Sequence, residues 1–212
     1  MSNWLLCAAL AALPVWAGGR ETPLPVALYT HYQHQPDSRV VEAIQNEVEA
    51  IMAPMGQELE WRSLDEATGS EVSSQLAVIK FVGRCSAEGR SSEPIRGALG
   101  WTHISDGVIL PFTDIDCDGI RNFLETALIG INPRERAEAY GRAVGRVLAH
   151  ELYHIFANTT HHGSNGVAKS VYTVRDLLSH DFQFEERESD ALRSSQPRPA
   201  TAVEATEDTH RL

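Results

Sequence analysis

Cysteine, methionine and basic residues are all scarce in this chain of 212 residues, which has three Cys, three Met and 18 Lys+Arg against 29 Asp+Glu. Three cysteines exclude a disulfide-dense scaffold. A formal net charge of −11 with no cluster of Lys and Arg argues against a nucleic-acid binder, because phosphate contacts need such clusters. No apolar run reaches the ~20 residues that a membrane-crossing helix requires. What is present, 42% hydrophobic and 22% charged residues, suits one globular domain with a substantial core.

The first residues, MSNWLLCAALAALPVWA, carry no charged side chain, and Leu5 to Val15 form a short apolar run. That pattern fits a secretory signal over residues 1–17, with Val15 and Ala17 as the small residues before a cut. Export is therefore expected, to a secreted or periplasmic location. Cys7 would leave with the signal, and Cys85 and Cys117 would remain as a pair suited to one disulfide in an oxidising compartment. The mature domain is expected over 18–184, followed by a polar disordered tail over 185–212.

Within that domain the pattern predicts strands at 25–32, 59–62, 76–82, 98–104 and 108–115, the last two joined at Asp106-Gly107. Helices are predicted over 38–52, 121–128 and 133–157. Asn132, Pro133 and Glu135 mark the start of the last one as N-cap, first helical residue and capping-box partner. Gly141 and Gly145 share a face of that helix and predict close packing there against the sheet. The order of elements implies an α/β domain of α+β type, with a mixed sheet covered by two main helices.

His150-Glu151-Leu152-Tyr153-His154 is an HExxH motif inside this helix. A spacing of four puts both imidazoles on one face, where two nitrogens can meet one tetrahedral Zn²⁺. Glu151, offset by one, can take a proton from water that the metal activates. Beyond the helix end, expected near Asn158, His161-His162-Gly163 offers the third ligand. Three protein ligands and one open position form the catalytic zinc arrangement.

These residues resemble the metzincin metallopeptidases, whose usual pattern is HExxHxxGxxH followed by a Met-containing turn. Here Ala157 stands where Gly is usual, Thr160 where the third His is usual, and no methionine follows. A longer-spaced bacterial variant of the pattern is closer. Against it Asn158 falls on the Gly, His162 on the third ligand, Gly166-Val167 on Gly-Leu and Ala168 on the Met. The resemblance implies a zinc metalloendopeptidase of compact metzincin-like fold, with His150, His154 and His162 as ligands (His161 the alternative third) and Glu151 as general base. It also implies a peptide or protein substrate lying antiparallel to the edge strand 98–104. Tyr172 is a candidate transition-state hydrogen-bond donor, and Tyr153 a packing residue. The competing reading is a non-catalytic or latent zinc domain with a closed metal site.

Two other signals are weaker. Asp114, Asp116, Asp118, Gly119 and Glu125 match an EF-hand spacing, so Ca²⁺ is a second possible ion. Glu185, Glu186 and Glu188 could supply a glutamate ligand, though they read as a solvated charge run. His31, His34 and His103 read as ordinary hydrogen-bonded histidines.

Overall fold

A computed structural model describes residues 24–89 and 97–195. The expected signal segment, Cys7 included, lies outside the described residues, as does most of the expected tail. Five strands, β1 (Val26–Tyr32), β2 (Leu59–Ser63), β3 (Gln75–Val82), β4 (Gly100–Ser105) and β5 (Val108–Asp116), form one sheet in the order β2-β1-β3-β5-β4. All neighbours pair in parallel except β4, which runs antiparallel to β5 at the edge. A tight turn at Asp106-Gly107 joins these two, with φ of 51° and 79°; two left-handed residues in succession match the twist of a hairpin. The fold is therefore the α/β arrangement the sequence predicts, with every strand in its expected place.

Helices α1 (Ser38–Met52), α2 (Cys117–Leu124), α3 (Pro133–Phe156), α4 (Val174–Leu178) and α5 (Glu186–Ser194) complete the domain. Alternate residues of the strands, Leu28 on β1, Ala77, Ile79 and Phe81 on β3 and Ile115 on β5, join Val40, Ile44, Val48 and Ile51 of α1 and Val144 and Leu148 of α3 in a single core. The intervening strand residues, Leu76, Trp101 and Phe112 among them, remain exposed.

The two glycines of α3 do not meet the sheet, contrary to expectation. A Cβ on Gly141 would lie 2.6 Å from the Ala43 Cβ and 2.9 Å from the Val40 carbonyl oxygen, and one on Gly145 would lie 2.9 Å from the Ile44 carbonyl oxygen. Glycine here lets α3 press directly on the backbone of α1, which offsets the ~1 kcal/mol that each costs in helix propensity. Asn132 caps α3 as predicted, its Oδ1 accepting from the Glu135 backbone N–H at 3.0 Å. Buried Arg146 on the same helix bonds the Glu47 carboxylate, the Asp176 carbonyl and Ser179, and its guanidinium lies over the Phe182 ring. One side chain thus pins α1, α3, α4 and the segment after α4 together.

Three further expectations are corrected. First, the chain does not become an unstructured tail at 185. Residues 186–194 form α5, with Glu188, Ser189 and Leu192 buried, because Leu192 supplies an apolar anchor that a simple count of charges overlooks. Second, the helix expected at 121–128 begins at Cys117 and ends as a 3₁₀ turn over Glu125–Leu128. Third, the acidic run does not form a calcium loop. Asp114 faces His103 on the neighbouring strand, Asp116 caps α2 by accepting from the Gly119 N–H, and Asp118 pairs with Arg121. A strand-to-helix junction has used the carboxylates that a cation loop would need.

Cys85 and Cys117 are joined as a disulfide, as expected. Among the described residues no helix is long and apolar enough to cross a membrane.

Candidate metal centre

Helix α3 delivers His150, Glu151 and His154 to one side of its last turns, all three buried. The helix stops at Phe156, and Asn158 takes the left-handed conformation, with φ of 46°; asparagine is among the few non-glycine residues that do so readily. The Thr159 N–H bonds the His154 carbonyl, and the reversed chain brings His162 back to the helix. The His162 ring centroid lies 5.2 Å from that of His150 and 4.9 Å from that of His154. One ring nitrogen from each of the three falls within a common span of 4.8 Å. These three residues could hold a metal ion. His162 belongs to this group, whereas His161, exposed as His162 also is, lies outside it.

The orientation of the two helix histidines follows from the backbone around them. His150 Nδ1 lies 2.8 Å from the Val167 carbonyl oxygen, and His154 Nδ1 lies 2.7 Å from the Thr159 carbonyl oxygen. A carbonyl only accepts, so each Nδ1 carries the proton, and in a neutral imidazole Nε2 is then a bare acceptor. Burial keeps both rings neutral. It pushes His150 down to about 4, against the opposing effect of the Val167 bond, and lowers His154 in the same direction. Two such Nε2 atoms face each other at 3.0 Å. Opposed lone pairs at that distance repel and are reconciled by a cation between them. A tetrahedral ion with metal–nitrogen bonds of about 2.0–2.1 Å would separate its nitrogens by roughly 3.3 Å. The residues present therefore fit a metal.

The turn 163–169 sits beneath this group. Gly163 N–H donates to the Ala168 carbonyl at 2.8 Å, and Val167 and Ala168 are fully buried. The Val167 carbonyl of this turn meets the His150 ring. Tyr172 closes that turn. Its hydroxyl donates to the same Val167 carbonyl, and its ring stands edge-on to His150 at 5.6 Å between centroids. Tyr153 packs against Phe184 and the His154 ring, as a packing residue would.

Glu151 lies next to the histidines in the same cleft. Burial pushes its carboxyl up to about 7, and hydrogen bonding with Thr102 acts in the opposite direction. Thr102 Oγ1 is 2.8 Å from Glu151 Oε2. Thr102, the Val167 carbonyl and the Thr159 carbonyl are contacts of this centre that sequence reasoning did not find. The carbonyls have no side-chain signature, and one threonine in an edge strand has no motif. Of the acidic residues weighed as a glutamate ligand, Glu188 is buried on α5 beside Gly163, outside the histidine group. His31 and His103 pair with Asp65 and Asp114, away from the centre.

The cleft has a volume of about 600 Å³. Its walls combine the histidines and Glu151 with apolar Leu99, Ile104, Phe123, Val147 and Val171. No family model matches this chain, and no curated protein matches it either.

Proposed function

We propose that this chain is an exported zinc-dependent metalloendopeptidase that hydrolyses peptide bonds. The observation that carries the reading is the pair of neutral imidazoles whose Nε2 atoms face each other at 3.0 Å, with a third imidazole beside them and a carboxylate one residue away. Three nitrogen donors and an open fourth position suit zinc better than the oxygen-seeking calcium or magnesium. A zinc ion held by His150, His154 and His162 would supply a Lewis acid for the scissile carbonyl and make water a better nucleophile near neutral pH.

The protein's own part is positional and proton-handling. Glu151 takes a proton from the attacking water as the water oxygen bonds to the carbonyl carbon. It returns that proton to the amine nitrogen as the C–N bond breaks. A carboxyl whose burial raises its proton affinity towards neutrality is suited to both halves of that transfer. The peptide would lie along β4, whose one side pairs with β5 and whose other side borders the cleft. Main-chain pairing along such an edge binds a peptide irrespective of its side chains.

Metal analysis tests the first half of the reading. The purified protein should hold one zinc per chain, and a chelator should remove both the metal and any peptide cleavage, which added zinc then restores. Cleavage that survives complete removal of the metal would refute it.

A further inference from the structure

The carboxylate of Glu151 is held from the edge strand rather than from its own helix. Thr102 of β4 places its hydroxyl 2.8 Å from Glu151 Oε2 and 3.2 Å from the Glu151 carbonyl oxygen. A hydroxyl has a single proton to give, and the shorter contact is to the charged acceptor. Two residues earlier on the same face of β4, Gly100 approaches so closely that a Cβ there would lie 3.1 Å from Glu151 Cγ and 2.9 Å from Val147 Cγ1. The stem of Glu151 is thus packed by the backbone at Gly100 while its head is tied by Thr102. A carboxylate fixed at Oε2 keeps Oε1 as its free acceptor.

From this geometry we infer that Thr102 is a positioning residue for Glu151, and that it couples peptide binding on β4 to the orientation of the base. The inference rests on the metallopeptidase reading above. Beyond Thr102 the β4–β5 ladder loses its register between Thr102 and Ile104, so the strand that carries this hydroxyl is irregular where the tie is made. A peptide adding to the free side of β4 supplies main-chain partners to that stretch and restricts the backbone that presents Thr102. Glutamate has three side-chain torsions to fix, and a base aligned in advance avoids that cost during reaction.

Two substitutions and a control test this on the full zinc-loaded protein. Thr102→Val preserves shape and strand preference but removes the donor. It should lower kcat by about 10- to 100-fold, the range for losing a hydrogen bond to a charged group, with KM and zinc content unchanged. Thr102→Ser restores the hydroxyl and should recover most of the loss. Thr113→Val, which deletes the hydroxyl facing Trp101 on the partner strand, should leave kcat near the parent value.

A second readout does not depend on turnover. The carbon-13 carboxyl resonance of Glu151, assigned by its absence in Glu151→Gln, should move in Thr102→Val and return in Thr102→Ser. An unmoved resonance with parental kcat in Thr102→Val overturns the inference. So does a loss confined to KM, or equal impairment of the serine and valine variants, because either would make Thr102 a part of strand integrity alone. If the parent cleaves nothing, the metallopeptidase reading fails, while the resonance still decides whether Thr102 orients Glu151.

Discussion

Glu151→Gln should retain one zinc per chain and lose peptide cleavage by about 10²- to 10⁴-fold, the span that a positioned general base contributes. The substitution keeps the length and shape of the side chain and can still accept from the Thr102 hydroxyl, 2.8 Å from Oε2 in the parent. Folding and metal binding are therefore expected to survive. What disappears is the ability to receive a proton from water and hand it to the leaving amine. In a closed, structural metal site this carboxylate would have no chemical task. The variant separates the two readings more cleanly than removal of any ligand. Turnover equal to that of the parent would show that Glu151 is not the base.

The second large effect concerns His162. Replacing it by alanine should weaken zinc binding by orders of magnitude, because it removes one of three nitrogen donors that lie within 4.8 Å of one another. His161→Ala, one residue away, should leave zinc affinity close to that of the parent, since this exposed side chain stands outside the group. Competition against a chromogenic zinc chelator measures both variants directly. Equal weakening by the two substitutions would mean that the turn rearranges on binding the ion and that the ring positions described above are not those of the loaded protein.

The difference between what could be foreseen at this centre and what could not has a physical origin. Periodicity and capping residues located α3 well, since Asn132 and Pro133 act locally. The four-residue spacing of His150 and His154 fixes their common face in any helix. The return of the chain at Asn158 was legible for the same reason, because left-handed backbone is a local preference. The choice of His162 over His161 came from the spacing of a similar pattern and not from the residues themselves. It depends on how the turn after Asn158 brings a ring back to the helix, where the His162 ring stands 5.2 Å from His150 and 4.9 Å from His154.

Long-range partners escaped for a related reason. Gly141 and Gly145 announced close packing, but only the folded chain shows that α1 is the neighbour. Thr102 lies 49 positions from Glu151, and no local pattern connects a strand hydroxyl to a helix carboxylate at that separation. The acidic stretch from Asp114 to Glu125 misled in the opposite way. Its spacing resembles a cation loop, yet Asp114, Asp116 and Asp118 had nearer uses at a strand end, a helix cap and an ion pair. Helix α5 was missed because Leu192, buried within a strongly charged segment, outweighs the polarity of its neighbours once it has a core to enter.

The most direct test of the account is exposure of a random peptide pool to the zinc-loaded protein, with new termini identified by mass spectrometry. Internal peptide bonds should be cut, cutting should stop on chelation, and it should resume when zinc returns. A protein that binds one zinc per chain and leaves the whole pool intact would contradict it, and would establish the three histidines as a metal site without hydrolytic function.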